Sequence, residues 1–131
     1  MKYLSTRDNS LKKSFNEILY QGLSKDGGLF IPHEWPILDI DTLKNKNYEE
    51  VALSVIHPYV SDEVSEIDLK KIINDSYKNF FHSDIAPIVP IDQNKYILEL
   101  FYGPTFAFKD YALQFLGNLF TYAVPKASKK L

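Results

Sequence analysis

Apolar residues recur at helical spacing in three segments of the first hundred residues. We predict a first helix over residues 11–21, with Ser10 as its N-cap residue. A second helix begins after Asn47, because Glu50 follows three residues later in the arrangement of a capping box. A third begins in the same way after Ser65 and carries the most regular apolar stripe. That stripe consists of Leu69, Ile72, Ile73, Tyr77, Phe80 and Phe81.

Short segments of strand-like composition are interspersed with these helices. We predict strands over residues 3–7, 29–31, 85–89 and 96–101, with a Lys-Asp-Gly-Gly turn before the second of them. The order of elements shows no regular alternation of strand and helix. The pattern therefore predicts an α+β domain rather than a parallel α/β sheet.

The segment over residues 106–123 differs from the earlier helices because it is apolar on nearly every side. A helix of this kind belongs in the interior of a larger structure. The sequence ends shortly afterwards with a lysine-rich tail over residues 126–130, which we expect to be solvated. The pattern predicts that this chain is an N-terminal fragment and that the elements covering the helix lie outside it.

Composition narrows the possible functions. The 131 residues are 45% hydrophobic, which is typical of a folded chain. Because 15 basic residues are balanced by 17 acidic ones, we expect no nucleic-acid or membrane partner. No apolar run approaches the ~20 residues of a membrane helix, and no signal peptide precedes the first strand, so a cytoplasmic location is expected. Cysteine is absent, and the three histidines show no ligand spacing, so we expect no metal site.

Lys109 is a candidate for chemistry because it lies near the first turn of the apolar helix, between Phe108 and Asp110. Burial disfavours a charged ammonium group, and the positive end of the helix dipole acts in the same direction. A neutral amine is what a Schiff base with an aldehyde cofactor requires. The spacing alone favours the alternative, in which the lysine reaches solvent or pairs with Asp110.

Three segments of the chain resemble threonine synthases. Residues 99–117, ELFYGPTFAFKDYALQFLG, are similar to the cofactor-lysine segment of that family, which reads close to ELFHGPTLAFKDVALQLLG. Residues 3–7, YLSTR, resemble the family's N-terminal Y-x-S-T-R-G. Residues 21–32, QGLSKDGGLFIP, resemble its Q-G-L-A-x-D-G-G-L-Y-V-P. The three motifs occur in the family's order, and the resemblance covers essentially residues 1–120.

The resemblance implies an α+β N-terminal threonine synthase-like domain over residues 1–100. Residues 101–131 would then be the truncated first strand-loop-helix of a tryptophan-synthase-β-like, type II PLP domain. In the family, pyridoxal 5'-phosphate (PLP) serves the conversion of O-phospho-L-homoserine and water into L-threonine and phosphate. The resemblance further implies that Lys109 is the catalytic residue that holds the cofactor, with Phe108 and Thr105 beside it and Gly103 shaping the loop.

Two positions depart from the family pattern, since Tyr102 replaces its histidine and Asp8 its glycine. A phenol is bulkier than an imidazole and titrates near pH 10, at about the reference value for tyrosine, so the resemblance does not carry an acid–base or hydrogen-bonding role of that histidine over to Tyr102. The five glycines are not gathered into one phosphate-binding loop. We therefore expect the chain alone to lack most of an active site, to bind PLP weakly and to be inactive.

Three other functions remain open from the sequence. The chain could be a non-catalytic, self-associating domain, a truncated gene relic, or a small lysine-dependent PLP-binding module. The stripes of the first three helices can satisfy one another, which leaves no apolar surface for the last helix. The sequence thus predicts a homodimer formed through the helix over residues 106–123.

Overall fold

A computed structural model describes residues 1–124 of the chain. Helix caps and backbone pairing set the bounds of its helices and strands. The elements in chain order are β1 (Tyr3–Ser5), α1 (Phe15–Gln21), β2 (Phe30–Pro32), a 3-10 helix (Ile40–Leu43), α2 (Tyr48–Val60), α3 (Glu66–Tyr77), β3 (Ile88–Asp92), β4 (Lys95–Leu98) and α4 (Asp110–Ala123). Strands β1 and β2 pair antiparallel, as do β3 and β4. The α+β class is confirmed. The tail predicted to be solvated, residues 126–130, lies outside the described residues.

The starts of α2 and α3 follow the local capping signals. The Asn47 side chain accepts a hydrogen bond from Glu50 N at 2.9 Å, and the Glu50 carboxylate accepts one from Asn47 N at 2.9 Å. Ser65 Oγ accepts from Asp68 N at 3.1 Å. These contacts confirm the predicted caps, which satisfy backbone donors that have no partner within the helix.

The predicted start of α1 is wrong, because the helix is capped by Ser14 rather than by Ser10. Both the N–H and the hydroxyl of Ser10 donate instead to Asp8 Oδ1, at 2.9 and 2.7 Å. Lys13 pairs with Tyr3 through two backbone hydrogen bonds of 2.8 and 2.9 Å. This pairing keeps the chain extended up to Lys13, so the helix can begin only after it.

Helix α3 is central to the hydrophobic core, because it packs against both α2 and α4. Leu69 and Ile73 of α3 are fully enclosed, together with Val64 from the preceding turn. Leu119 of α4 belongs to the same buried cluster, and Ala123 is buried as well. The expectation that the last helix has no partner surface within the chain is therefore wrong.

The buried side of α3 includes polar Ser76 as well as its apolar stripe. This additional surface is where α4 packs. Ser76 is buried, and its hydroxyl donates to Ile72 O at 2.6 Å. The same hydroxyl accepts from Asn118 Nδ2 of α4 at 3.2 Å. A polar pair thus lies inside the α3–α4 contact, with its hydrogen bonds satisfied as burial requires.

An aromatic cluster joins the end of α3 to the first turn of α4. Tyr77 and Phe80 contact edge to face, with ring centroids 5.2 Å apart, and Phe80 meets Tyr111 in the same way at 4.9 Å. The Tyr77 hydroxyl donates to Tyr111 O at 2.9 Å, and the Tyr111 hydroxyl donates to Ile85 O at 2.6 Å. Such contacts add directional stabilisation to the area that the rings bury.

Helix α4 begins four residues later than the pattern predicts. Phe106 has a φ of +59°, in the left-handed region, so the chain turns there rather than entering a helix. One face of α4 packs on α3, while Leu113 and Leu116 on the helix remain exposed. Helix α3 also ends earlier than its stripe, at Tyr77, and Phe81 is exposed.

The β3–β4 hairpin projects from the core. All of its residues are exposed, although the large side chains among them are mostly apolar. The exposed apolar residues are Ile88, Val89, Ile91, Tyr96, Ile97 and Leu98. Strand β3 begins three residues later than predicted because Ile85, with a φ of +60°, is buried in the turn before it. Strand β4 begins one residue earlier than predicted and ends at Leu98.

Candidate functional site

Lys109 lies at the N-cap position of α4 with helical backbone angles, φ −65° and ψ −20°. Its side chain is exposed, so the burial expected from the sequence is not provided by residues 1–124. Within that part of the chain, no hydrogen bond or ion pair holds the amine. Of the two alternatives that the spacing favoured, an ion pair with Asp110 is not observed and exposure to solvent is, so the amine is accessible to a reagent.

The loop before Lys109 is held by the carboxylate of Asp110. Thr105 N donates to Asp110 Oδ2 at 2.7 Å, and Thr105 Oγ1 lies 2.9 Å from Oδ1 and 3.0 Å from Oδ2. Gly103 permits this arrangement, since a Cβ added there would lie 2.4 Å from Asp110 Cβ. We call these three residues, Gly103, Thr105 and Asp110, the loop clamp. Sequence analysis considered Asp110 only as a partner of Lys109 and missed the clamp.

The electrostatics of the clamp favour a charged carboxylate. Burial by itself raises the pKa of Asp110, but hydrogen bonds from Thr105, Gln114 and Ala107 outweigh burial, so the pKa lies below its usual range. The residue also occupies the first turn of α4, where the helix dipole favours negative charge. An acidic residue in a first helical turn is the only sequence signal for this role.

Phe106 and Phe108 flank Lys109 on the loop side and are both about two-thirds exposed, at 68% and 65%. Phe106 stacks on Phe81, with ring centroids 5.5 Å apart and the rings 16° from parallel. The structure therefore presents the lysine amid apolar surface that residues 1–124 leave open. Thr105 is exposed as well, although its hydroxyl is engaged by Asp110.

Tyr102, at the position where the family motif has histidine, contacts Glu99 and His82. Its hydroxyl donates to Glu99 Oε2 at 2.8 Å, and its ring lies 4.8 Å from that of His82. The hydrogen bond to Glu99, followed by burial and the Glu99 charge, raises the pKa of Tyr102. The phenol therefore stays protonated at neutral pH and serves as a donor to Glu99.

The two N-terminal motifs meet in a second polar cluster, at the end of β1. Ser5 is fully buried, and its hydroxyl donates to both carboxylate oxygens of Asp26 at 2.9 and 2.8 Å. Gly28 N donates to Asp26 Oδ1 at 2.8 Å, and Arg7 Nη1 donates to Asp26 O at 3.0 Å. A Cβ at Gly28 would lie 2.2 Å from Ser5 Oγ. These hydrogen bonds link the two N-terminal motifs, so the cluster has a structural role.

The described residues fit one part of a PLP site. An exposed, unpaired amine at Lys109 suits covalent attachment to the cofactor aldehyde. Residues 1–124 offer no comparable site for the phosphate, because Gly27 and Gly28 lie in the turn around Asp26 and the space beside Gly103 is occupied by Asp110. Among residues 1–124, no group of His, Asp or Glu side chains is arranged to hold a metal ion, and no helix is long and apolar enough to cross a membrane.

Comparison with known proteins assigns the N-terminal part of the chain to a family. The family described as "Threonine synthase N terminus" matches residues 2–77, which is more than half of the chain. The chain therefore belongs to the threonine synthase N-terminal family, as its three motifs indicate.

Individual relatives extend the similarity through the lysine loop. The threonine synthase of Schizosaccharomyces pombe is 47% identical over 93% of this chain, and that of Pseudomonas aeruginosa is 37% identical over all of it. A crystal structure of PLP-bound threonine synthase from Brucella melitensis matches 96% of the chain with a TM-score of 0.92 at 40% identity. The chain spans only 24% of the first relative, 29% of the second and 28% of the third.

Proposed function

We propose that this chain forms the N-terminal part of a PLP-dependent threonine synthase, which converts O-phospho-L-homoserine and water into L-threonine and phosphate. The observation that carries the proposal is Lys109 at the start of α4, which is exposed and has no partner among residues 1–124 and lies in a segment that resembles the family's cofactor-lysine segment. The similarity to a PLP-bound threonine synthase over nearly the whole chain supports it. A cytoplasmic location stays a prediction from the sequence.

Each residue of the loop has a proposed role. Lys109 holds the cofactor through Nζ and, once displaced by substrate, takes up and returns protons at that atom. Thr105 and Gly103 shape the loop beside the cofactor, and Phe108 packs near its ring. PLP, when bound, supplies the electron sink for the reaction. The groups that hold its phosphate and the substrate phosphate are proposed to lie outside this chain.

The proposed organisation places an N-terminal domain over residues 1–100 and the first strand, loop and helix of the type II PLP domain over residues 101–131. Support comes from apolar surface that residues 1–124 leave exposed, on the β3–β4 hairpin and at Leu113 and Leu116 of α4. Exposed apolar side chains that neighbour one another, unlike single scattered ones, are typical of a surface that another part of a protein covers. The rest of a threonine synthase is the proposed cover.

A chimeric enzyme tests the catalytic proposal. Residues 1–124 replace the corresponding segment of the Brucella melitensis threonine synthase, which aligns with 96% of the chain. We expect the chimera to release phosphate from O-phosphohomoserine, and Lys109→Ala to abolish this release. Lys70→Ala, at an exposed lysine on α3, is the matched control and should keep full activity. A folded chimera that retains activity without Lys109 contradicts the proposal.

A second candidate function, a non-catalytic self-associating domain, is favoured by the same exposed residues. A homodimer through residues 106–123 would bury Phe108, Leu113 and Leu116, which α3 does not cover. Light scattering on dilute protein tests this candidate. A monomer at all concentrations, with residues 101–124 protected from proteolysis, excludes the dimer. A dimer that Leu113→Asp converts to a monomer supports it.

A further inference from the structure

Two adjacent residues of opposite charge, Lys109 and Asp110, do not form an ion pair with each other. The carboxylate is buried and directed toward Thr105, whose N–H and hydroxyl both donate to it. The lysine is exposed and has no partner among residues 1–124. The loop clamp thus engages the acidic group that directly follows Lys109 in the sequence.

We propose that Thr105 is a positioning residue that acts through Asp110: by holding the carboxylate, it prevents Asp110 from pairing with Lys109 and leaves Nζ free to attack an aldehyde. An ammonium group held by a carboxylate must leave it and lose a proton before it can attack. A free amine avoids the first of these steps. The inference rests on the proposed function, in which Lys109 is the cofactor lysine.

The shape of the loop supports this role. Phe106 N donates to Gly103 O at 3.0 Å, which closes a turn around Thr105, and Phe106 adopts a positive φ in that turn. The absence of a side chain at Gly103 lets the turn approach Asp110 closely enough for Thr105 N to reach the carboxylate. A left-handed phenylalanine is an unfavourable conformation, and surrounding contacts must maintain it.

The reactivity of Lys109 toward PLP measures the effect directly on the chain as it exists. Nζ attacks the aldehyde carbon, water leaves, and added cyanoborohydride delivers hydride to give a stable secondary amine. Peptide mass spectrometry then gives the initial labelling rate at Lys109, with Lys70 of the same molecule as an internal reference. We expect Thr105→Val to lower the Lys109 rate about two- to fivefold, which is the size of one exposed ion pair.

Recovery of the labelling rate by a second substitution distinguishes a positioning role of Thr105 from a general effect on folding. The double variant Thr105→Val, Asp110→Asn lacks the charge that would capture the amine, so it should regain the original rate. Thr105→Ser retains the hydroxyl and should label as the unmodified chain does. An unchanged rate in Thr105→Val overturns the proposal, and so does a lowered rate that Asp110→Asn fails to restore.

Two further controls complete the experiment. If circular dichroism shows that Thr105→Val is unfolded, Gly103→Ala displaces the carboxylate from Thr105 by contact, and the same loss and rescue by Asp110→Asn are required. Failure of the proposed function is seen separately, in the chimera. An active chimera with Lys109→Ala excludes the cofactor role, whereas the labelling rates report only on the clamp.

Discussion

Replacing Tyr3 with phenylalanine removes a single hydroxyl that links β1 to the end of α2. Tyr3 is 6% exposed, and its hydroxyl donates to Tyr59 O at 2.8 Å. Its ring lies 6.3 Å from that of Phe15, and phenylalanine retains this contact. At neutral pH the variant should lose about 1 kcal/mol of unfolding free energy, the net worth of a typical hydrogen bond.

The same hydroxyl makes the stability of the chain sensitive to alkaline pH. Burial, followed by the neighbouring Tyr59, Glu63 and Asp62, raises the pKa of Tyr3 to about 12. In the unfolded chain the phenol titrates near its reference pKa of about 10. Between these values the unfolded state releases the proton and the folded state keeps it, so stability falls as pH rises. The contribution is complete below pH 10 and is lost by about pH 12, at roughly 2 to 3 kcal/mol in total.

These two effects oppose each other, so the order of stability should invert. The unmodified chain is more stable than Tyr3→Phe at pH 7 by about 1 kcal/mol. The alkaline loss exceeds this advantage near pH 11, on the order of one unit above the unfolded pKa, and there the variant becomes the more stable protein. Other titrating groups are common to both proteins and cancel in the difference.

Urea unfolding followed by circular dichroism, at intervals from pH 7 to pH 12, measures the inversion. Tyr96→Phe, at an exposed tyrosine of the hairpin, is the matched control and should follow the unmodified chain at every pH. A difference between Tyr3→Phe and the unmodified chain that stays constant to pH 12 would refute the reasoning, because it would mean that Tyr3 ionises as readily in the folded state.

Four further outcomes are expected. Ile73→Asp places an unpaired charge at a core position that is 1% exposed, so far-UV circular dichroism should show unfolding, whereas Ile67→Asp on the same helix, at a position 83% exposed, should be unchanged. Gly103→Ala should destabilise the chain in urea, since the added Cβ meets Asp110. Gly117→Ala should stabilise it by about 0.5 to 1 kcal/mol, because this site within α4 is open. The chain alone, with PLP added, should release phosphate from O-phosphohomoserine only at background rate, since the orientation that normally provides several kcal/mol is missing.

Sequence signals located the elements that are fixed by local chemistry. Asn47 and Glu50 form their capping box within four residues, and the pattern placed α2 correctly. Ser10 precedes the predicted helix and Ser14 lies inside it, but the pairing of Lys13 with Tyr3 keeps the chain extended up to Lys13, and Ser14 becomes the cap. Local patterns carry no information about a partner ten residues away in an irregular segment.

The packing of α4 on α3 could not be predicted from the apolar stripes, because polar residues contribute to the contact. Ser76 and Asn118 look like surface residues in the sequence, yet their hydrogen bond lies in the α3–α4 contact. At the candidate site, the spacing alone favoured a lysine that reaches solvent, and Lys109 is exposed, whereas the burial that a neutral amine would need is not provided by residues 1–124. The partner of Asp110 could not be predicted either, because it depends on the left-handed turn at Phe106.

The exposed β3–β4 hairpin has a consequence for the behaviour of the chain in concentrated solution. Both of its strands are edge strands, and edges with unpaired backbone groups are templates for pairing with another copy. Pro90 removes one donor from β3, and Asp92 and Lys95 place opposite charges at the turn, which limits but does not abolish such pairing. A net charge of −2 provides little repulsion between copies. Because the hairpin has two open edges, a copy that pairs through one edge still presents the other, so association of the isolated chain should continue beyond a dimer as its concentration rises, which light scattering would detect.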